Sequence, residues 1–130
     1  MDIVAALFTE QFDMRQEAGP STRIDLTGVY FSMAAPGPLP VTLEPHLVVL
    51  LRCAAGESGN GALETRFLRD GEQVARNVQP VTVEPGKFGY RLVRAELTFA
   101  EEHGFGTIEA HCRVDAGHIT VVPLTLLPPA

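Results

Sequence analysis

The pair Asp70-Gly71 lies between two segments of alternating apolar and polar residues, 62–69 and 72–78. A two-residue hairpin turn requires φ > 0 at both central positions, which Gly adopts freely and Asp adopts more readily than most residues. The pattern therefore predicts a β-hairpin that turns at these two residues. Its register would pair Arg69 with Glu72, Phe67 with Val74, and Leu63 with Val78.

Turn residues divide the rest of the chain into segments of strand length. Gly and Pro recur at positions 19–20, 36–40, 56–61, 85–86, 104 and 115–117. Short strands separated by such turns are typical of a sandwich or barrel, whereas the helical stretches of a βα repeat are not found. The 130 residues suit one domain, spanning 1–130. The sequence predicts an all-β fold, an immunoglobulin-like antiparallel β-sandwich of about 7–9 strands.

Four further segments have recognisable strand patterns. Residues 46–53 are almost continuously apolar and predict a central strand buried on both faces. Residues 90–99 and 107–114 alternate, which predicts half-buried strands. The N-terminal segment fits either a strand or a helical stripe, and we favour the strand. The residues expected to face the core are Val93, Ala95, Leu97 and Phe99 in one alternating segment, and Ile108, Ala110, Cys112 and Val114 in the other.

A second hairpin is predicted around residues 115–118. Pairing Val114 with Ile119 and Cys112 with Val121 would keep these apolar side chains on one face, and this requires a loop of even length. The apolar positions then shift to Leu124 and Leu126, which predicts a bulge near residues 122–123. The proline at position 123 also predicts an edge strand or the end of a ladder.

The charge balance argues against nucleic acid as a partner. The chain has 10 basic and 16 acidic residues, a net charge of −6, and its arginines are scattered. Nucleic-acid binding depends on clustered Lys and Arg, so this class is not expected. No stretch approaches the roughly 20 apolar residues that span a bilayer, and the N-terminus does not have the pattern of an export signal. We expect a cytoplasmic protein with no membrane contact.

The two cysteines, Cys53 and Cys112, both fall at inward positions of predicted strands. Such a pair could form the inter-sheet disulfide of immunoglobulin domains. The sequence has no Trp to pack against a disulfide, and a reducing compartment keeps thiols free. We therefore interpret both as free, buried core residues, with a bonded pair as the alternative.

Histidines 103, 111 and 118 lie near several carboxylates and suggest a metal site. If Asp115 pairs with His118, then His111 lies roughly 13 Å farther along the strand, at roughly 3.4 Å per residue. Zinc ligands must converge within about 2 Å of the ion. We also find no nucleophile, phosphate-loop or metal motif. The sequence therefore predicts no catalytic, cofactor-binding or metal site. The cross-strand neighbours Arg69 and Glu72 are interpreted as an exposed ion pair.

The chain resembles a bacterial, actinobacterial-type family of small predicted β-sandwich proteins of unknown function. The resemblance lies in residues 2–8, 28–30 and 45–50 and in the Asp70-Gly71 hairpin. It covers most of the chain and consists of strand patterning and turn residues. It implies an immunoglobulin-like sandwich in a cytoplasmic bacterial setting, with no catalytic residues to transfer.

Two hypotheses for function follow. The first is a non-catalytic interaction or structural module that binds a protein partner or a second copy of itself, because chemical motifs are missing and sandwiches commonly present sheet faces and loops to partners. The alternative is a small ligand- or metal-binding protein or enzyme with a pocket at one end of the sandwich, using His111 or His103. We favour the first hypothesis, so enzymatic activity is not expected.

Overall fold

The computed structural model describes residues 1–19 and 21–130. These residues form eleven β-strands and no helix, so none of them contributes a helix that could cross a membrane. The strands are β1 (Asp2–Gln16), β2 (Thr22–Val29), β3 (Ser32–Ala34), β4 (Val41–Leu43), β5 (His46–Arg52), β6 (Asn60–Arg69), β7 (Glu72–Thr82), β8 (Phe88–Arg94), β9 (Leu97–Phe99), β10 (Gly106–Val114) and β11 (Thr120–Leu127).

Two packed sheets form a single all-β domain. The four-stranded sheet has the order β2-β1-β5-β8 and the five-stranded sheet has the order β3-β11-β10-β6-β7, while β4 and β9 pair separately. Every pairing is antiparallel except that of β3 with β11. The all-β class is therefore confirmed. The described residues form eleven strands, more than the 7–9 expected. The additional strands β3, β4 and β9 have three residues each, which is too short to recognise from an alternating pattern.

The strand patterns in the middle and N-terminal parts of the chain are confirmed. β5 lies between β1 and β8, and its apolar residues are buried on both faces. β1 is a strand and not a helix, because it pairs with β5 at one end and with β2 at the other. The predicted strand over 90–99 is two strands, β8 and β9, separated by Ala95 and Glu96. The inward residues of β10 are buried as predicted: Ile108, Ala110, Cys112 and Val114.

The first hairpin has the predicted turn but a different register. Asp70 and Gly71 have φ values of 51° and 82°, and Arg69 pairs with Glu72. A bulge then shifts β7 by one residue, because Val74 lies unpaired between Gln73, the partner of Leu68, and Ala75, the partner of Phe67. The predicted pairs Phe67 with Val74 and Leu63 with Val78 are therefore wrong. Phe67 lies opposite Ala75 and Leu63 opposite Gln79, which leaves Val74 and Val78 exposed.

The second hairpin has a register of the opposite parity to the one predicted. Cys112 pairs with Thr120, so the predicted pairs of Val114 with Ile119 and Cys112 with Val121 are wrong. Asp115 has φ 48°, and the N–H of Gly117 donates to the carbonyl of Val114 at 2.9 Å, which closes an odd-length turn.

This register puts Val122, Leu124 and Leu126 on the core face without the predicted bulge. Among the described residues, β3 pairs with β11 only over residues 125–127, so this ladder does not reach Pro123. The end of a ladder next to this proline agrees with the prediction.

Candidate functional site

The histidines singled out in the sequence lie apart from one another. His111 is on the outer face of β10, with Nε2 3.3 Å from Glu109 Oε1, while His118 is exposed in the last hairpin. His103 contributes its backbone carbonyl, and not its imidazole, to a contact with Arg69. Within residues 1–19 and 21–130, no three His, Cys, Asp or Glu side chains are grouped so that they could hold a metal ion.

Both cysteines are free thiols buried in the core, as predicted. The Thr65 hydroxyl lies 3.9 Å from Cys112 Sγ. Burial raises the pKa of the Cys112 thiol from its ordinary value of 9.0 to about 11. The thiolate that would act as a nucleophile or a metal ligand is therefore strongly disfavoured at neutral pH.

Arg69 does not form the predicted exposed ion pair with Glu72. Its side chain is buried, and Nη2 donates to the carbonyls of His103, Gly104 and Phe105 at 2.8, 2.7 and 3.3 Å. The guanidinium also lies over the ring of Phe99, with Cζ 5.4 Å from the ring centroid. Nη1 has no hydrogen-bond partner among the described residues. Arg69 therefore binds the loop before β10 to the β6–β7 hairpin, which is a structural role.

A polar depression of about 270 Å³ lies where β5 begins and β8 ends. Its lining includes Glu44, His46, Arg94 and Glu96. In the described part of the chain none of these four side chains forms a hydrogen bond or an ion pair.

An apolar groove lies on the outer face of the four-stranded sheet. Its volume is about 620 Å³, and most of its surface is apolar. We call this surface the groove. The residues that line it are Val4, Met14, Thr22, Ile24, Leu26, Leu50, Phe88, Gly89, Tyr90 and Arg91.

The groove exists because β1 changes partner at Thr9. Up to this residue β1 pairs with β5, and beyond it β1 pairs with β2 alone. The Thr9 hydroxyl lies 2.9 Å from the carbonyl of Gln11 and 2.8 Å from that of Thr27, which anchors the chain at the change of partner. The β1–β2 hairpin beyond it then folds over β8, where the rings of Phe12 and Tyr90 are 5.9 Å apart.

Alternation along the hairpin directs apolar side chains into the groove. Met14 lies opposite Ile24 and Phe12 opposite Leu26, so these four side chains share one face of the two-stranded ribbon. Val48 on β5 is only 1% exposed although it lies outside the core cluster. The outer face of the sheet is therefore a second apolar layer that the hairpin covers in part.

The rim of the groove is strongly exposed. Val4, Met14 and Phe88 have 54%, 49% and 68% of their surface accessible. The lining includes no His, Cys, Asp or Glu. Its one charged group, Arg91, is already engaged with backbone carbonyls: Nη1 donates to Tyr90 at 2.8 Å and Nε to Pro80 at 3.4 Å. Such a surface can bind apolar groups, and the polar side chains in its lining are those of Thr22, Tyr90 and Arg91.

Sequence reasoning did not identify the groove. Its residues come from β1, β2, β5 and β8, which are distant in the chain and meet only through the sheet order. A partial signal was present in residues 46–53, whose continuous apolar character indicated a strand covered on both faces.

No family model matches the sequence, and no curated protein matches it. The resemblance to the bacterial β-sandwich family therefore remains a prediction.

Proposed function

We propose that this protein is a non-catalytic interaction module, an immunoglobulin-like sandwich that binds a protein partner through the groove. The observation that carries the proposal is the exposed apolar rim of Val4, Met14 and Phe88 around a surface of about 620 Å³. Contiguous exposed apolar surface is costly for a monomer, and in soluble proteins it commonly marks an interaction site.

The shape and chemistry of the groove support binding rather than catalysis. Its rim residues are exposed to solvent, and its lining lacks titratable side chains apart from Tyr90 and Arg91. Aromatic residues at a partly open apolar surface are typical anchors in protein interfaces, because they bury a large area with few rotatable bonds. The expected partner presents apolar side chains to Phe88 and Tyr90, and we place this interaction in a bacterial cytoplasm.

The proposal is tested by capture from a lysate of the native host with matched serine variants. Met14→Ser combined with Phe88→Ser removes apolar surface from the rim. Val78→Ser makes the same kind of change at a side chain that is 48% exposed on the outer face of the other sheet. We expect a partner that is retained by the wild type and by Val78→Ser and is lost with the double variant.

The outcome is decisive only if all three proteins are folded, which circular dichroism and thermal unfolding verify. A partner that the double variant still retains would contradict the proposal. Equal loss with Val78→Ser would also contradict it, because the binding would then not depend on the groove.

The volume of the groove favours a second candidate, a small apolar ligand in the same place. Sites for such ligands typically measure about 300–1,000 Å³. A thermal-shift screen with fatty acids and apolar metabolites tests this, since a ligand at 100 times its Kd stabilises the native state by about 2.7 kcal/mol. A shift that disappears with Phe88→Ser would favour the ligand over the protein partner.

A further inference from the structure

β2 is a long edge strand whose outer side has no partner among the described residues. The other edges are shorter or bridged. β3 has three residues, while β7 and β8 are linked by side chains: Gln79 Nε2 donates to the carbonyl of Leu92 at 3.3 Å, and Arg91 Nε donates to that of Pro80 at 3.4 Å. An open edge of this length presents backbone donors and acceptors to another strand.

The ladder between β1 and β2 determines which backbone groups face outward. The N–H of Glu17 donates to the carbonyl of Ser21 at 2.9 Å, so this is a hydrogen-bonded pair. Hydrogen-bonded and non-hydrogen-bonded pairs alternate in an antiparallel ladder. The register continues without a shift from Thr22 to Leu26, so the N–H and C=O groups of Thr22, Ile24 and Leu26 point away from β1.

The side chains of β2 are complementary to a second copy of the same strand. Arg23 and Asp25 flank Ile24 with opposite charges. In an antiparallel pairing centred on Ile24, Arg23 lies opposite Asp25 of the second copy on both sides of the two-fold axis. The same register aligns all the outward backbone groups, because Thr22 then meets Leu26 and Ile24 meets Ile24.

Neighbouring two-fold registers are disfavoured by charge. Centring the pairing on Arg23 places two guanidinium groups opposite each other, and centring it on Asp25 places two carboxylates opposite each other. Like charges directly across a strand pair are destabilising, whereas opposite charges stabilise it. Asp25 already accepts a bond from Arg15 Nε at 2.6 Å, yet its side chain is 48% exposed and can contact a second arginine.

We infer that two copies of this chain pair antiparallel through β2, centred on Ile24. The four strands of each sheet then join into one continuous sheet of eight. Ile24 and Leu26 also line the groove, so the grooves of the two copies become neighbours. The second copy binds at the sheet edge, and this contact does not require the partner proposed for the groove.

Two charge-reversal variants test the pairing by sedimentation or by size exclusion with light scattering. Arg23→Asp leaves only acidic residues at these two positions, and Asp25→Arg leaves only basic ones. Each variant alone then opposes like charges, and we expect its dimer Kd to rise about tenfold or more. In an equimolar mixture of the two variants, the acidic residues 23 and 25 of one chain lie opposite the basic residues 25 and 23 of the other. The mixture should therefore form a heterodimer as tightly as the wild type forms its dimer.

Arg66→Asp provides the matched control, because Arg66 is an exposed arginine on the other sheet that donates to Gln73. It should dimerise like the wild type. Ile24→Pro removes an outward N–H that β1 does not use. This variant should be folded by circular dichroism and monomeric by light scattering.

Three results would overturn the inference: a wild type that is monomeric at all concentrations, an Asp25→Arg variant that dimerises as tightly as the wild type, or a mixture that dimerises no more tightly than either variant alone. Phe88→Ser separates this inference from the proposed function, because it alters the groove and should leave the dimer intact.

Discussion

The side chain of Arg69 holds in place a loop that is distant in the sequence. Its guanidinium donates to carbonyls 34 to 36 residues away and lies over Phe99, within a site that has no carboxylate partner in the described chain. The charge is stabilised instead by three backbone dipoles and an aromatic face. Replacing this residue therefore removes contacts that two parts of the fold share.

We predict that Arg69→Ala lowers the free energy of unfolding by about 2 kcal/mol, because three carbonyls lose their donor and Phe99 loses packing. Arg69→Lys should recover little of this loss, since an ammonium cannot reproduce the planar guanidinium. Urea denaturation measures both. Arg66→Ala, at an exposed side chain that donates only to Gln73, should change stability by less than about 0.5 kcal/mol. Equal effects at the two arginines would contradict the structural role.

The buried thiol of Cys112 predicts a loss of stability in alkali. An unfolded thiol ionises near its ordinary value of 9.0, whereas the native pKa is about 11. The native state therefore holds the proton more tightly. The resulting stabilisation is complete below pH 9 and is lost as the pH rises to 11, by about 2–3 kcal/mol in all. Denaturation of the wild type and of Cys112→Ala across this range isolates the contribution, and parallel pH profiles would refute it.

The sequence predicted correctly which side chains are buried in a strand, as for Cys112. It did not predict the contacts of Arg69, because these are made with residues distant in the chain. The alternation of residues 107–114 placed Cys112 in the core, and the structure confirms it. The same reasoning paired Arg69 with its neighbour Glu72, because only the adjacent strand was known. The carbonyls that Arg69 binds belong to a loop whose position depends on the packing of the whole five-stranded sheet.

At the scale of elements, the turns were predictable but the registers were not. Asp70-Gly71 adopts the positive φ that its composition indicates. A bulge at Val74 and an odd-length turn after Val114 then reversed the expected facing of β7 and of residues 119 and 121, whereas Leu124 and Leu126 face the core as expected. Val78 and Val121 are exposed, although the sequence pattern predicted that they face the core. Strands favour β-branched residues on either face, so residue type alone does not distinguish the two faces.

Gly59 marks a close approach between two elements. A Cβ at this position would lie 2.4 Å from the carbonyl oxygen of Val83, whose N–H donates to the carbonyl of Gly59 at 2.8 Å. The nearest atoms are backbone and this hydrogen bond joins the two residues, so neither can shift easily. We predict that Gly59→Ala destabilises the fold by about 2–4 kcal/mol. Gly37→Ala, where a Cβ meets nothing within 4 Å, should have an effect below about 0.5 kcal/mol. Thermal unfolding of the two variants tests this difference.

At the scale of the whole molecule, the all-β class followed from turn spacing, but the order of the strands did not. The groove depends on that order: Met14 and Phe88 come together because β1 and β8 belong to the same sheet and the β1–β2 hairpin folds over it. Local patterning gives each strand its two faces. Which strands become neighbours, and which edge stays open, depends on packing between segments far apart in the chain.

The open edge of β2 leads to a prediction about the stability of the assembly. If native copies pair through β2 and unfolded chains do not, association stabilises the native state by mass action. A tenfold rise in protein concentration then adds about 1.4 kcal/mol per dimer, and the Tm rises with it. The Tm of Arg23→Asp should rise less with concentration than that of the wild type, whereas its mixture with Asp25→Arg should regain the wild-type dependence. Calorimetry over a hundredfold range of concentration measures this directly, and a wild-type Tm that stays constant would exclude pairing through this edge.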